Sequence, residues 1–454
     1  MATINIEEKQ FNKMTKMPIM RLIITLAIPT VISMLVTSIY NLADTFFVSK
    51  LGVSASGAVG VVFPLMAIIQ AIGFTLGMGS GSNISAKLGE KKNKEAQLIG
   101  SSAFFASIVF GLLFAVFGLI FLDNVLLMLG STETVLPYAR DYAKYILFGA
   151  PIMSASFVLN NILRSEGKSK FSMIGLTTGG ILNIILDPIF INDLNFGISG
   201  AAIATIISQF ISFIILLSFF LLNKSIIKIS FTHISLKFKT YLEIINVGMP
   251  SLCRQGLASI STILLNTQAG MIGGDPALSG MSIVGKIFMV IFAVALGIGQ
   301  GFQPVCGYNY SSGNFDRVKK AVLFTFTSCT IVMGIMAIGF YLFSNQMIQL
   351  FMNPEVEDTE KVIEIGSQAL KYQCMVMPVM GVNLLSNMSF QATRKKWLAT
   401  LLSICRQGIF FIPLVFILPS LFNVRGVELV QPVSDLLTCI FSIPFFVHFL
   451  KNLK

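Results

Sequence analysis

Apolar stretches of about twenty residues recur along this chain from near Ile19 almost to its last residue, separated by short polar turns. A helix that crosses a membrane needs about 20 consecutive, predominantly apolar residues. The 454 residues are 54% hydrophobic and only 12% charged, whereas soluble domains carry roughly 25% charged residues. The pattern excludes an ordinary soluble enzyme and a disordered protein, and it predicts an all-α polytopic membrane protein.

The hydropathy pattern predicts twelve spans. The first 18 residues are polar, and no apolar core with a small-residue cleavage site follows them, so we expect no removable signal peptide. The predicted spans are 19–47, 54–86, 98–122, 138–163, 171–191, 199–222, 246–272, 277–305, 321–345, 365–393, 397–419 and 427–449.

The positive charges predict how the chain is oriented. The formal net charge is +11, and 23 of the 32 Lys and Arg residues lie in segments that twelve spans place on one side. We expect the protein to lie in the plasma membrane, and by the positive-inside rule we expect both of its termini to be cytoplasmic. Nucleic acid is not an expected partner, because no basic patch with interleaved aromatic residues occurs. The segments that hold these 23 positive charges are 1–21, 87–97, 164–170, 223–243, 307–320, 394–396 and 451–454.

Four pairs of sequence landmarks recur in the same order, at a shift of 220–227 residues. This repeat predicts two homologous six-span lobes, 1–222 and 244–454, joined by a cytoplasmic linker at 223–243. The pairs are Leu76-Gly77-Met78-Gly79-Ser80-Gly81 with Leu296-Gly297-Ile298-Gly299-Gln300-Gly301, Gly89 with Gly313, Ile28-Pro29 with Met249-Pro250, and Lys144-Tyr145 before Pro151 with Lys371-Tyr372 before Pro378.

Two repeats with an even number of spans keep the same orientation, as in transporters that rock two halves around a central substrate. The glycine run at 77–81 follows no strand, so it indicates close helix packing rather than a nucleotide site. Gly167-Lys168-Ser169 lacks the earlier glycine of a P-loop, because residue 162 is Ile. We therefore predict secondary transport, with no cofactor and no ATPase subunit. The six cysteines have no metal-ligand spacing and are expected to be reduced, small apolar residues.

Polar residues in the first lobe form a candidate cation site. Asp44 and Asp187 are placed near the outer ends of spans one and five, and Thr205 lies at the same level in span six. Asn183 precedes Asp187 by one helical turn, and Thr37 and Asn41 share a face with Asp44. Such oxygen atoms are suitable ligands for Na⁺. Alternatively, one of the carboxylates could take up a proton. The alternative is that Asp44 caps a helix and Asp187 belongs to an Asp-Pro turn.

The second lobe places charged residues near the middle of its spans. Cys-Arg-Gln-Gly occurs at 253–256 and again at 405–408, and Lys286 and Asp435 lie at a similar depth. We predict that Asp435 pairs with one of the two arginines, which leaves surplus positive charge facing a wet cavity. The alternative is that helix-end carbonyls satisfy the bases. The candidate cavity or substrate residues are Arg254, Gln255, Lys286, Arg406 and Asp435.

Several motifs together resemble the multidrug and toxic compound extrusion (MATE) family, over essentially the whole chain. The pattern is most similar to the DinF-like and MepA-like prokaryotic branches. The motifs are Pro29 followed by Tyr40-Asn41-Leu42-Ala43-Asp44-Thr45, Leu186-Asp187-Pro188, Gly197-Ile198-Ser199-Gly200-Ala201-Ala202, and Gly301-Phe302-Gln303-Pro304 with Gly307-Tyr308-Asn309-Tyr310.

The resemblance implies a twelve-helix MATE/MOP-type fold of two six-helix lobes, and export of lipophilic, often cationic drugs in exchange for H⁺ or Na⁺. It also implies a cation site, with Na⁺ as the one metal, at Asp44, Asn183, Asp187 and Thr205. Thr37, Tyr40 and Asn41 would support this site. The NorM-like branch carries acidic residues in spans seven and ten, but here span seven has Arg254-Gln255 and span ten has no carboxylate. A second-lobe cation site of that type is not expected.

Three other functions compete with a monomeric drug exporter in the lipid bilayer. The first is a flippase for a lipid-linked anionic precursor, since the same superfold hosts such proteins and Arg254, Lys286 and Arg406 would suit a pyrophosphate. The second is a membrane-embedded enzyme that uses paired carboxylates, which the missing catalytic motifs disfavour. The third is a receptor or scaffold, which the short loops disfavour.

Overall fold

The computed structural model describes residues 2–351 and 359–453, and this part of the chain is helical almost throughout. The described helices are α1 (Ala2–Lys16), α2 (Ile19–Ser49), α3 (Val53–Gly89), α4 (Asn93–Ile120), α5 (Leu122–Met128), α6 (Leu136–Ser165), α7 (Ser169–Pro188), α8 (Gly197–Leu221), α9 (Phe238–Ser311), α10 (Phe315–Leu342), α11 (Ser344–Leu350), α12 (Thr359–Ala392), α13 (Lys396–Ile404), α14 (Phe411–Phe422) and α15 (Val424–Lys451).

The prediction of a polytopic all-α membrane protein is confirmed. Within the described residues, ten helical segments are long and apolar enough to cross a membrane. One of them, α9, has 74 residues and is broken at Gly274, whose φ of 64° is not helical. At 1.5 Å per residue α9 is far longer than a bilayer is thick, so it holds two spans. The 34-residue α12 is not among these ten segments, but it is long enough to be a further span.

The segment between α8 and α9 is shorter than the predicted linker, because α9 begins at Phe238 rather than after residue 243. The buried carboxylate of Glu166, just beyond the end of α6, holds this segment in place. It accepts hydrogen bonds from the Ser225 hydroxyl, from the Ile226 amide at 2.9 Å and from the Ile227 amide at 3.1 Å. The linker is therefore fastened to the first lobe along part of its length.

Buried apolar side chains of the described residues form three cores. The largest core extends from Met14 to Leu453 and includes residues of both predicted lobes. A second core uses only residues between Val48 and Ala202, all in the first lobe. A third, around Phe411 and Val430, belongs only to the second lobe. The two predicted lobes thus share one core, at their joined end, and the second and third cores each lie within one of them.

Glycines allow the close approach of the two lobes at the joined end. A Cβ atom on Gly79 would lie 2.0 Å from the Ile244 carbonyl oxygen, and one on Gly297 would lie 2.5 Å from the Val31 Cα atom. Larger side chains would force these backbones apart. The interpretation of the glycine run at 77–81 as a helix-packing surface is confirmed by Gly79, and Gly297 in the second run makes a similar close approach.

Described residues near both ends of the chain lie at this joined end. The Asn309 side chain donates a hydrogen bond to the Met14 carbonyl oxygen at 3.1 Å. The ring of Phe449, near the last residue, lies 6.4 Å from that of Tyr310. The even number of spans predicted from the sequence accounts for this placement.

Candidate functional site

Two adjacent glycines in α7 position the candidate cation site. A Cβ atom on Gly179 would lie 2.8 Å from Ser212 Cβ in α8, and one on Gly180 would lie 2.7 Å from Val36 Cγ1 in α2. Since α7 can therefore lie close to both helices, the next turns of α7 bring Asn183 and Asp187 next to polar residues of α2 and α8. Because Gly179 and Gly180 have no side chain, the three helices can pack closely enough for the polar residues to meet.

The Asn183 amide connects α7 to α8. Its Nδ2 atom donates to Asp187 Oδ1 at 3.2 Å and to Thr205 Oγ1 at 3.3 Å. All three side chains are buried, and Asp187 is fully so. The structure thus brings together three of the four residues predicted to form the cation site.

The fourth residue, Asp44 on α2, joins the cluster through a residue that the sequence analysis missed. The Tyr142 hydroxyl on α6 donates to Asp44 Oδ2 at 3.4 Å. Asp44 and Asp187 are close enough to interact electrostatically, and Tyr142 interacts with both charges. Tyr142 is fully buried, and a buried tyrosine hydroxyl usually has a partner, but no local sequence pattern indicated which one.

Three buried oxygen atoms of this cluster have no hydrogen-bond partner among the described residues: Asp44 Oδ1, Asn183 Oδ1 and Asp187 Oδ2. Buried polar atoms are rarely left without a partner, because each costs about 1–3 kcal/mol. All three are acceptors, and no basic side chain forms an ion pair with either carboxylate in the described part of the chain. Oxygen atoms of this kind can coordinate a hard cation, and a carboxylate oxygen can instead take up a proton.

The predicted supporting residues surround this cluster less directly. The Thr37 hydroxyl donates to the Ser33 carbonyl oxygen of its own helix at 2.9 Å. Asn41 is half-buried. Tyr40 is buried where α2 meets Gly180 and interacts electrostatically with Asp44. Among the described residues, hydrogen bonds join neither Thr37 nor Asn41 to Asp44.

Asp187 and Pro188 are the last residues of α7, and a π-helical turn, Ile189–Asp193, continues the helix. The alternative interpretation of Asp187-Pro188 as a tight turn is wrong. π-Helical turns inside helices frequently occur at functional sites. A Cβ atom on Gly200 would lie 2.5 Å from the Phe190 carbonyl oxygen, so the beginning of α8 packs directly on this turn.

In the second lobe Asp435 pairs with Arg406, one of the two predicted partners. Arg406 Nε lies 2.6 Å from Asp435 Oδ1, and Gln373 donates to Asp435 Oδ2 at 3.2 Å. Arg406 belongs to a second π-helical turn, Cys405–Ile409, between α13 and α14. Its guanidinium carbon lies 5.2 Å from the centre of the Phe292 ring.

The other candidates of the second lobe lie on α9. The Arg254 guanidinium contacts Met78 Sδ at 3.6 Å, and Gln255 donates to Gln70 at 3.3 Å, so both reach α3 of the first lobe. Lys286 is exposed. It precedes Gly297 by about three helical turns and therefore lies on the side of α9 that faces α2.

A polar contact at the joined end was not predicted either. Arg164 on α6 is buried and donates to Gln300 Oε1 on α9 at 2.6 Å. It also donates to the Asn161 amide oxygen of its own helix. Nearby, Gln303 donates to Gln391 at 3.0 Å and to Ser82 at 3.5 Å. Arg164 belongs to a segment predicted to lie on the positive side of the membrane. The sequence pattern did not indicate that Arg164 is buried, because its partner Gln300 is 136 residues away in the chain.

Comparisons with known proteins agree with this architecture. The family model MatE matches two segments, residues 29–189 and 250–417, one in each predicted lobe. The multidrug export protein MepA of Staphylococcus haemolyticus is 27% identical over 427 residues, which cover 94% of this chain and 92% of that protein. MepA of Staphylococcus aureus strain MRSA252 is 26% identical over 422 residues, 93% of this chain and 92% of that protein.

Two solved structures are similar over the full length. A crystal structure of a MATE protein in complex with MaL6 has a TM-score of 0.93 and 25% identity, and the match covers 98% of this chain and 99% of that one. A MOP superfamily transporter from Pyrococcus furiosus has a TM-score of 0.92 and 26% identity, with 98% of each chain covered. That transporter is described as having a binding pocket of reversed polarity that suggests a different function. Since the family model covers most of the chain and the fold agrees, the protein is a transporter of the MATE family and not an enzyme.

Proposed function

We propose that this protein exports drug-like lipophilic compounds across the plasma membrane in exchange for inward-moving H⁺ or Na⁺. The single observation that carries the proposal is the set of three buried acceptor oxygens, from Asp44, Asn183 and Asp187, that have no partner among the described residues. Two carboxylates that interact without a basic neighbour favour the uptake of a cation. Thr205 and Tyr142 complete the proposed coupling site by holding Asn183 and Asp44 in place.

The coupling site communicates with the joined end of the lobes through α2. A bound cation would relieve the repulsion between Asp44 on α2 and Asp187 on α7 and would draw the two helices together. Val31, thirteen residues before Asp44 and about 20 Å along the helix, contacts Gly297 of the second lobe. Pro29 removes a backbone hydrogen bond nearby and gives α2 a place to bend. Cation binding would thus alter the contact between the lobes and let them rock.

The remaining expectations complete the proposal. Both termini would be cytoplasmic, and the separately packed ends of the lobes would then open to the outside. One chain would suffice as a monomer, because the expected cleft between the two lobes would lie within it. Substrates of the multidrug kind are supported by the similarity to MepA over 92% of that protein's length.

Purified protein in proteoliposomes would test the proposal. We would follow ethidium under an imposed Na⁺ gradient and then under an imposed pH gradient. We expect one gradient to drive transport, and we expect Asp187→Asn to abolish it while the protein remains folded. Asp193→Asn is the matched control, because it makes the same substitution six residues further along the chain, at an exposed position. Full transport by Asp187→Asn would refute the assignment of the coupling site.

A flippase for a lipid-linked anionic precursor is the second candidate. The surplus of positive charge in the second lobe favours it, since only Arg406 has a carboxylate partner among the described residues. Loss of the gene separates the two functions. Drug sensitivity with a normal cell wall would support the exporter, and a cell-wall defect without drug sensitivity would support the flippase.

A further inference from the structure

Two guanidinium groups in the second lobe each have a buried nitrogen without a hydrogen-bond partner among the described residues. They are Arg254 Nη1 and Arg406 Nη2. The two arginines are close enough for Arg406 to repel Arg254 electrostatically. Two like charges held near each other in low dielectric are unfavourable unless an anion lies close to both.

The negative charge supplied by the protein serves only one of these arginines. Asp435 accepts a hydrogen bond from Arg406 Nε at 2.6 Å, and Gln373 occupies its other oxygen. Arg254 forms no ion pair within residues 2–351 and 359–453, and the partner of its Nη2 atom is the sulfur of Met78, a weak acceptor. One positive charge therefore remains uncompensated.

The surroundings of the two arginines are mixed apolar and polar. Arg406 packs against the rings of Phe288 and Phe292, with its guanidinium carbon 6.0 Å and 5.2 Å from their centres. Gln431 Nε2, another donor, is buried without a partner beside Gln407. Arg254 reaches Met78 of α3, so it lies between the lobes, where transporters of this architecture hold substrate.

We propose that Arg254 and Arg406 bind the anionic group, a phosphate or a carboxylate, of an amphiphilic substrate whose apolar part packs against Phe288 and Phe292. This inference rests on the proposed transport function and adds anionic amphiphiles to the lipophilic substrates proposed there. Guanidinium groups present paired donors that match the oxygens of these anions. Lys286, on the α2-facing side of α9, adds positive charge along the approach.

Equilibrium binding of a matched pair of amphiphiles tests this inference. The full chain in lipid nanodiscs would be titrated calorimetrically with decyl phosphate and with decyltrimethylammonium, which share a tail and differ in the sign of the head group. We expect decyl phosphate to bind more tightly. We expect Arg254→Gln to weaken its binding by about tenfold, the effect of losing one charge-assisted hydrogen bond, and not to weaken the binding of decyltrimethylammonium.

The controls separate a specific site from a general loss of charge. Arg140→Gln removes one positive charge at an exposed ion pair with Asp123 and should leave both affinities unchanged. Arg254→Gln deprives no carboxylate of its partner, so the variant should fold. The double variant Arg406→Gln/Asp435→Asn removes the second guanidinium together with its counter-charge, and it too should weaken the binding of decyl phosphate.

Equal affinity of the unaltered protein for the two probes would overturn the inference, and so would an equal loss in Arg140→Gln. Adding phosphatidic acid to the nanodisc identifies the source of the anion. Displacement of decyl phosphate would support a lipid head group, and undiminished binding would support a soluble amphiphile. Because no ion gradient is used, failure here leaves the coupling proposal standing, and transport by Asp187→Asn would refute coupling without affecting this result.

Discussion

The Tyr142 hydroxyl on α6 donates a hydrogen bond to Asp44 on α2, at 3.4 Å, inside the first lobe. This contact joins helices that are almost 100 residues apart in the chain. It orients one of two carboxylates that have no basic partner within residues 2–351 and 359–453. The donor leaves Asp44 Oδ1 free, so the hydrogen bond positions the carboxylate without satisfying it.

Tyr142→Phe should weaken cation coupling without abolishing the fold. The variant keeps the ring and loses the donor to Asp44, and a hydrogen bond to a charged group is worth about 1.5–3 kcal/mol. We expect the Na⁺ or H⁺ concentration that gives half-maximal transport to change by about tenfold or more. Tyr138→Phe is the control on the same helix, because Tyr138 is 44% exposed. An unchanged concentration dependence would show that Tyr142 does not position Asp44.

Asp435→Asn should destabilise the second lobe. It leaves the Arg406 guanidinium buried beside a neutral amide, and breaking a buried pair on one side costs about 3–5 kcal/mol. We expect a lower thermal unfolding temperature in detergent, and recovery in Arg406→Gln/Asp435→Asn. The exchange Arg406→Asp/Asp435→Arg should also be more stable than either single change.

The exposed pair Arg140–Asp123, at 2.8 Å, provides the comparison for this experiment. Asp123→Asn should cost about 1 kcal/mol or less, because solvent screens the charges. If Asp435→Asn were as mild as Asp123→Asn, the ion pair would not contribute to stability.

Gln300→Leu should favour separation of the lobes at the joined end. It removes the oxygen that accepts from Arg164 at 2.6 Å across the interface. Spin labels would be placed at the exposed positions Lys94 and Lys320, one in each predicted lobe. Pulsed electron paramagnetic resonance would then measure the distance between the labels. We expect a larger population at long distance than in Gln349→Leu, an exposed control on α11. The same distance distribution in both variants would exclude Arg164–Gln300 as a latch.

The contact between Glu90 and Arg394 should depend on pH. Arg394 Nη2 lies 3.3 Å from Glu90 Oε1 and joins the lobes outside the spans. Partial burial would raise the pKa of Glu90, but Lys92, Lys87 and Arg394 outweigh it and hold the pKa below its ordinary value. A carboxylate with a lowered pKa in the folded state stabilises the protein above its unfolded pKa of about 4.3, and the contribution is lost as the pH falls further.

The difference in unfolding temperature between the unaltered protein and Glu90→Gln should therefore be present at pH 7 and should decline as the pH falls through the lowered pKa of Glu90. The pair is partly exposed, so a free energy of about 1 kcal/mol or less is expected. A difference that persists unchanged at pH 3 would show that the charge of Glu90 is not its cause.

Much of this protein could be predicted from its sequence, because lipid imposes simple rules. A chain in a bilayer must satisfy its backbone internally, so long apolar runs become helices, and the spans and the position of Asp44, Asp187 and Thr205 near one level follow from length alone. The spacing of Asn183 and Asp187 indicated a shared helix face, and the structure joins them by a hydrogen bond at 3.2 Å. The paired glycine runs predicted close helix contacts, and Gly79 and Gly297 make them.

The tertiary structure decided what local spacing does not contain. Tyr142 reaches Asp44, Arg164 reaches Gln300, and Arg406 rather than Arg254 takes Asp435, because each partner comes from a helix distant in the sequence. Two Cys-Arg-Gln-Gly segments of identical sequence thus differ in their surroundings: Arg406 is paired with Asp435, whereas Arg254 has no counter-charge among the described residues. Periodicity determines which side of a helix a residue occupies, but only the packing of helices determines which side chain lies opposite it.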